Sequence, residues 1–322
     1  MQIFSLTLSQ MLMMFTLMAL GFLLRKLKIL PENADTVMSR LETYIFCPAL
    51  SFGNLIGNCT VKTFSENSRL ILYGGTIILV AILLAYPLSA LFVRNYKTDR
   101  AAAYTRNVYK YAMAFANWGF MGNYIIIGIW GDEMYFKYSM FTFIVNILGT
   151  CWGMYVLIPK DEKASVFRNM LNGFLKPPML AVFAGIICGF LGVKAYMPDF
   201  LINGLNAAGS CMGPVAMLLA GFVIGGFNFN ELVTNKKIYL ASLMRLIVIP
   251  SVFLGILKLL GTPDEIMIFT LICFATPLGL NTVVFPAAYG GDTKPGAAMA
   301  MVSHTLCVIT IPLMYLLWIV LL

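Results

Sequence analysis

The chain reads FANWGFMGNYIIIGIWGD over residues 115–132 and FATPLGLNTVVFPAAYGGD over residues 274–292. Both segments begin with Phe-Ala, carry asparagine near glycine or proline, continue through apolar residues and close on Gly-Asp. Glycine weakens a helix, and proline removes a backbone donor and disrupts the preceding turn. The two segments therefore predict two helices that are interrupted in the same way, half a chain apart.

The composition places these helices in a lipid bilayer. Of the 322 residues, 60% are hydrophobic and only 11% are charged, whereas roughly a quarter of the residues of a soluble domain are charged. A spanning helix needs about 20 apolar residues, so this length accommodates about ten spans with short connections. We predict an all-α, multi-pass membrane protein.

The hydropathy pattern divides the chain into ten predicted spans. They cover residues 5–24, 37–56, 70–93, 111–129, 134–157, 177–193, 200–225, 238–260, 266–289 and 296–321. Because the number of spans is even, both termini lie on the same side of the membrane.

Most lysine and arginine residues fall in connections on one side of the membrane in this predicted topology. The connections on that side carry Arg25, Lys26, Lys28, Arg94, Lys97, Arg100, Arg106, Lys110, Lys160, Lys163, Arg168, Lys176, Lys236, Lys237 and Lys294. Short cytoplasmic loops retain Lys and Arg, so we predict that both termini face outward from the cell (plasma) membrane. The net charge of +8 therefore does not indicate a nucleic-acid partner, because the distribution of the basic residues reflects the orientation of the protein in the membrane.

The loop at residues 158–176 divides the spans into two sets of five. An odd number of spans per set forces opposite orientations, so the sets predict two inverted repeats within a single transmembrane domain, at about residues 1–160 and 170–322. The interrupted spans are the fourth of each set, which makes them the fourth and ninth of the chain. Matched breaks in two such halves mark a substrate site near the bilayer midplane, where we expect these two spans to cross.

The predicted substrate site consists of residues at the two interruptions: Asn117, Gly119, Gly122, Asn123, Pro277, Gly279 and Asn281. A helix that begins at a break presents free N–H groups and a partial positive charge. Asparagine amides can donate to a carboxylate without the cost of burying a full charge, roughly 2.5 to 3.5 kcal/mol. A small organic anion is therefore the expected substrate class. The alternative interpretation is that these residues only mediate helix packing.

Few ionisable side chains fall inside the predicted spans. His304, the only histidine, lies in the tenth span and is a candidate proton site or substrate contact, unless it simply bonds a neighbouring helix. Arg40, Glu42, Lys137 and Arg245 lie near predicted span ends, where we expect their polar groups to reach the interface. Proton coupling, uniport and anion exchange all fit such a charge-poor interior.

The chain resembles the auxin efflux carrier family of membrane transporters at these places. Residues 117–124 read NWGFMGNY, similar to the family's Asn-x-Gly-aromatic-x-Gly-x-Pro pattern, and Pro277 and Asn281 match in the ninth span. Residues 47–52 read CPALSF, similar to the family's Leu-Pro-Ala-Leu-x-Phe stretch, and the likeness covers nearly the whole chain. The family's fourth-span proline is replaced by Tyr124, so we expect the first break to be shallower or to depend on the glycines.

The resemblance implies a fold and a substrate class. The fold has ten helices in two inverted five-helix repeats, with a scaffold domain beside a transport domain and crossing broken helices 4 and 9. The implied substrates are small organic acids such as malate or malonate, as for bacterial members without a long central loop. Fold analogy further suggests a homodimer through the scaffold helices.

We therefore expect a secondary transporter that moves small organic carboxylates by alternating access. A channel for small ions or solutes and a transporter-like ligand sensor are the alternatives. The sequence shows no nucleophile–base set, nucleotide-binding loop or metal-ligand cluster, so we predict neither an enzyme nor a need for a cofactor or metal.

Overall fold

The computed structural model describes residues 2–158, 175–226, 235–279, 281–288 and 291–322. Every regular element in these ranges is helical, which confirms the predicted all-α class. The α-helices are Gln2–Lys26, Ala34–Leu41, Cys47–Asn58, Val61–Phe92, Arg100–Ala114, Asn123–Phe141, Phe143–Leu157, Pro177–Phe190, Asp199–Gly225, Lys236–Leu243, Ile249–Leu259, Asp264–Ala275, Asn281–Ala288 and Lys294–Tyr315. Several expectations fall outside the described residues: Lys160, Lys163 and Arg168 of the central loop, and Tyr289 and Gly290 of the second quoted segment.

Wide π-type turns, which carry an extra residue per turn, continue several of these helices. They lie at Glu42–Phe46, Trp118–Gly122, Met244–Val248 and Leu316–Leu321, and a short 3₁₀ helix follows the sixth span at Val193–Tyr196. The turn Glu42–Phe46 joins two helices into the second span, and Met244–Val248 does the same in the eighth. Apart from the fourth and the ninth, each predicted span thus corresponds to a helix or to a run of joined helices.

Six helical stretches in the described ranges are long and apolar enough to cross a membrane. One of them, Arg100–Phe141, contains the whole fourth span and the start of the fifth. The backbone turns within this stretch at Gly131, whose φ of 79° lies in the left-handed region that side-chain-bearing residues rarely adopt. Gly131 therefore ends the fourth span at the place where the first quoted segment closes on Gly-Asp.

Local sequence also determines where the third span begins. The Thr60 hydroxyl accepts the backbone N–H of Thr63 over 3.1 Å, and the Thr63 hydroxyl accepts the backbone N–H of Thr60 over 2.8 Å. This reciprocal cap satisfies two of the donors that a helix start leaves free. The helix Val61–Phe92 then runs for 32 residues, more than enough to cross the bilayer.

The spans pack as two groups. In the first helix group, formed by spans one, two, six and seven, the first span lies along the seventh and the second along the sixth. In the second helix group, formed by the other six spans, the third packs on the fourth and fifth, and the eighth packs on the ninth and tenth. The groups touch where the first span meets the tenth and where the seventh meets the turn Trp118–Gly122.

Buried aromatic side chains fill the second helix group. The Phe269 ring lies 5.6 Å from the Tyr138 ring and 5.8 Å from the Phe141 ring, measured between centroids. Outward-facing positions remain apolar, as at Leu72 and Leu83, which are 72% and 70% exposed. Exposed leucine on a long helix is the surface that hydrocarbon requires, so this exterior suits contact with lipid.

Two ionisable side chains contradict the expectation that they reach the membrane interface. Glu42 is 0% exposed and Arg245 is 2% exposed, whereas Arg40 is exposed and Lys137 forms an ion pair with Glu265 at 2.9 Å. Both side chains lie in wide turns. The seventh span packs against the turn that contains Glu42, and the ninth and tenth spans pack against the turn that contains Arg245. The expectation was wrong because distance from a span end does not reveal which neighbours surround a side chain.

Candidate functional site

Both predicted interruptions are present. In the fourth span, the helix Arg100–Ala114 ends, residues 115–117 leave the helical path, and the turn Trp118–Gly122 leads into the helix that begins at Asn123. In the ninth span, the helix Asp264–Ala275 ends, residues 276–279 are non-helical, and a helix resumes at Asn281. The fourth span therefore breaks without the proline that Tyr124 replaces.

The two interruptions contact each other directly. The backbone N–H of Asn117 donates to the carbonyl oxygen of Pro277 over 2.8 Å. A Cβ atom on Gly279 would lie 2.9 Å from the carbonyl oxygen of Ala116, which is closer than real Cβ atoms come to backbone. Glycine at position 279 thus permits the close approach, and one backbone hydrogen bond joins the two breaks.

Side-chain hydrogen bonds hold the crossing within the second helix group. The Trp118 indole N–H donates to the Oδ1 atom of Asn146 over 2.7 Å. The Tyr138 hydroxyl donates to the carbonyl oxygen of Trp118 over 3.2 Å. The fifth span, which carries both partners, therefore positions the first turn after the fourth-span break.

A cavity of about 290 Å³ opens beside the crossing. Spans two, six and seven form one wall, and spans four, five and nine form the other, so the cavity lies between the two helix groups. From the crossing it extends to Ser39, Thr150 and Lys176 at one end and to Leu55 and Tyr135 towards the other. Small-molecule binding sites commonly lie between the helices of a bundle.

The predicted site residues divide into those that line this cavity and those that support it. Five line it: Asn117, Gly119, Asn123, Gly279 and Asn281. Gly122 packs instead against the Tyr138 hydroxyl, and Pro277 contributes the carbonyl oxygen that Asn117 binds. His304 is 1% exposed and its Nδ1 atom bonds the carbonyl oxygen of Ala300 in its own helix over 2.7 Å. His304 is absent from the described lining of the cavity.

Asn117 lines the cavity and carries a buried side-chain donor. Its side chain is 3% exposed, and its Nδ2 atom has no hydrogen-bond partner among the described residues. A buried amide N–H without a partner costs about 1 to 3 kcal/mol, so a ligand acceptor here would recover that cost. Residues that follow each break, Trp118 and Gly119 in the fourth span and Asn281 in the ninth, line this same cavity. The first turn of a helix carries unpaired N–H groups and favours negative charge.

Sequence reasoning missed the polar walls of the cavity. The second span contributes Ser39, Thr43, Cys47 and Ser51, and the fifth contributes Ser139, Thr142, Asn146 and Thr150. Each set recurs at intervals of three or four residues, which places its members on one face of a helix. This spacing within an apolar span was the available signal, because polar residues in such a span face the bundle interior or a cavity.

Lys176 also lines the cavity. In the sequence it served only as one of the basic residues that predict the cytoplasmic side. It caps the start of the sixth span, just before Pro177, and its side chain reaches the cavity. Burial lowers the pKa of the Lys176 ammonium group because the charged form is poorly solvated there. Lys176 thus places a titratable side chain at this end of the cavity.

Comparison with known proteins identifies the family of this chain. The sequence matches the family described as membrane transport protein over residues 6–315. It is 23% identical over 308 residues to an uncharacterized transporter of Methanocaldococcus jannaschii, covering 94% of this chain and 96% of that protein. It is 22% identical over 297 residues to an uncharacterized transporter of Methanothermobacter thermautotrophicus, covering 92% of this chain and 93% of that protein. This multi-pass membrane protein is therefore a transporter that belongs to the auxin efflux carrier-like membrane transport protein family.

Proposed function

We propose that this transporter is a secondary carrier of small organic carboxylates. The observation that carries the proposal is Asn117, which lines the cavity where the two broken spans meet and whose buried Nδ2 atom has no hydrogen-bond partner among the described residues. A carboxylate has two acceptor oxygens and no donor when ionised. It would accept from Asn117 and from neighbouring amide and backbone N–H groups, so its charge would be balanced by dipoles.

Other features of the cavity support the same substrate class. Asn123 and Asn281 supply further carboxamides, and an amide nitrogen has two donors, so Asn281 retains one beyond its bond to Tyr111. Lys176 places a cationic side chain at one end. The volume of about 290 Å³ limits the substrate to a small molecule, as expected for a short mono- or dicarboxylic acid.

We propose alternating access as the mechanism. The cavity lies between two helix groups that are each internally packed, so movement of one group past the other would expose the crossing first to one side of the membrane and then to the other. The end at Ser39, Thr150 and Lys176 belongs to the side predicted to be cytoplasmic. We further propose that both termini lie outside the cell and that the first helix group forms a homodimer.

Proteoliposome uptake tests the proposal. Purified protein is reconstituted and tested against a panel of labelled mono- and dicarboxylic acids, with counterflow from preloaded vesicles. We expect saturable uptake with trans-acceleration, whereas a channel would give flux nearly linear in concentration. Asn117→Ala should reduce uptake at least tenfold, and Asn203→Ala, at an exposed position of the seventh span, is the matched control.

Two results would contradict the proposal. One is folded protein that moves none of the acids faster than empty vesicles do. The other is uptake by Asn117→Ala at the wild-type rate, because the proposed site would then make no contribution. Equal thermal stability of the two asparagine variants would show that any loss arises at the site and not from unfolding.

A further inference from the structure

Arg245 places a positive charge inside the second helix group. It lies in the wide turn Met244–Val248 of the eighth span and is 2% exposed. A guanidinium group stays charged in proteins. Charged side chains inside a membrane-embedded bundle are costly and rare, and they commonly mark the path of a substrate or an ion. The surroundings of Arg245 decide whether its charge is balanced.

The described neighbours of Arg245 leave this charge unbalanced. The Nη1 atom donates to the carbonyl oxygen of Met113 over 3.4 Å, while Nε and Nη2 have no hydrogen-bond partner among the described residues. The Phe274 ring lies 5.5 Å from the guanidinium carbon. The ionisable groups of the described ranges that interact with Arg245 electrostatically are Cys273 and Tyr111, which ordinarily carry no charge near neutral pH.

The two interruptions separate Arg245 from the larger cavity. Arg245 and Leu278 border the same small cleft, whereas Gly279, the next residue along the ninth-span break, lines the larger cavity. In the fourth span, Met113 binds Arg245 just before the break, and Asn117 lines the larger cavity just after it. Arg245 therefore lies directly behind the crossing.

Tyr111 connects Arg245 to a side chain that lines the larger cavity. The Tyr111 phenol interacts electrostatically with Arg245. Its oxygen accepts a hydrogen bond from the Nδ2 atom of Asn281 over 3.0 Å, and Asn281 lines the cavity. A single buried side chain thus lies between the guanidinium group and a cavity-lining carboxamide.

An occupant of the larger cavity would experience the field of this buried charge. Charges in a protein interior are screened much less by salt than charges at the surface are. At an effective dielectric constant of about 20, a unit charge about 12 Å away changes the affinity for an anion about tenfold. We propose that Arg245 is a specificity-determining residue, which makes the crossing prefer a carboxylate to an uncharged molecule of the same shape.

This proposal rests on the proposed transport of carboxylates and gives the cavity a means of selecting them. The carboxamides at the crossing offer hydrogen bonds, but the carbonyl oxygen of an uncharged amide accepts such bonds as well. A fixed positive charge distinguishes the two molecules without touching either of them. An anion at the crossing would in turn balance the guanidinium charge, so Arg245 and the substrate would stabilise each other.

Competition between an acid and its own amide tests the proposal. Reconstituted protein takes up labelled lactate, malonate or succinate, and the uptake is inhibited by the same unlabelled acid or by its amide or monoamide. The two inhibitors have nearly the same shape and differ by one negative charge. We expect the wild type to prefer the acid. Arg245→Met should reduce this preference about tenfold, and Arg245→Lys, which keeps the charge, should retain most of it.

A second pair of variants neutralises the charge while Arg245 stays in place. Ser242 borders the same small cleft as Arg245, so Ser242→Asp would place a carboxylate beside the guanidinium group. This variant should also lower the preference for the acid about tenfold. Ser242→Asn is the matched uncharged control and should keep the wild-type preference. The pair decides the matter should Arg245→Met fail to fold.

The ratio of the two inhibition constants separates selection from structural support. Folded Arg245→Met or Ser242→Asp protein that prefers the acid as strongly as the wild type does would overturn the proposal. Equal losses of affinity for the acid and for its amide would also overturn it, because Arg245 would then only support the fold. A wild type that takes up none of the acids would instead remove the proposed transport function, and this proposal with it.

Discussion

The side-chain nitrogen of Asn281 donates a hydrogen bond to the phenol oxygen of Tyr111 over 3.0 Å, across 170 positions of sequence. This contact joins the helix that follows the ninth-span break to the helix that precedes the fourth-span break. Tyr111 donates in turn to the carbonyl oxygen of Gly149 over 3.3 Å. The chain of bonds orients the Asn281 carboxamide, which lines the cavity.

Tyr111→Phe should therefore weaken substrate binding more than it slows transport. The variant keeps the ring that stacks on Phe115 at 5.0 Å and removes only the hydroxyl, which accepts from Asn281 and donates to Gly149. Loss of one hydrogen bond, about 1 kcal/mol, corresponds to about a fivefold rise in the KM for uptake. The measurement is concentration-dependent uptake in proteoliposomes, with Tyr239→Phe on the partly exposed face of the eighth span as the control. An unchanged KM would show that Tyr111 does not position Asn281.

Gly279→Ala should destabilise the crossing. The added Cβ would lie 2.9 Å from the carbonyl oxygen of Ala116, and backbone cannot move aside as a flexible side chain can. Overpacking of this kind costs typically about 1 to 3 kcal/mol, so we expect a lower melting temperature together with loss of uptake. Gly204→Ala is the matched control, because nothing lies within 4 Å of its added Cβ. Equal melting temperatures for the two variants would mean that the breaks do not need this close approach.

Uptake should depend on the charge of Lys176. Burial lowers the pKa of this ammonium group, so as pH rises it loses its charge earlier than an exposed lysine does, and the cavity then attracts an anion less. We expect the wild-type KM to rise with pH on the alkaline side. Lys176→Gln should show a higher KM with little pH dependence, and Lys176→Arg should keep the low KM to higher pH. The exposed Lys194→Gln is the control, and a pH profile unchanged by Lys176→Gln would remove this role.

Glu42→Gln should preserve stability at neutral pH. Glu42 is 0% exposed, and neither carboxyl oxygen has a hydrogen-bond partner among the described residues. An unpaired buried carboxylate is strongly disfavoured, so the group is expected to be protonated and neutral, as glutamine is. Thermal unfolding should place Glu42→Gln within a few degrees of the wild type, like the exposed Glu66→Gln. A large loss of stability would instead reveal an ionised carboxylate with a partner.

The sequence by itself determined the helical class, the membrane environment and the places where the fourth and ninth spans break. These are local properties. Apolar length decides whether a segment can cross a bilayer, and glycine and proline act on the backbone within a turn of their own position. Reading residues 115–132 and 274–292 was therefore enough to predict both interruptions, even though Tyr124 stands where the family has proline.

Only the tertiary structure decided what surrounds each side chain. Asn281 reaches Tyr111, Arg245 lies behind the ninth-span break, and Glu42 is enclosed beneath the seventh span. Position along a span gives depth in the membrane, but burial and partners depend on which helices pack against which face. That arrangement arises from contacts between residues far apart in sequence. The polar walls of the cavity and the burial of Glu42 and Arg245 were therefore apparent only in the folded chain.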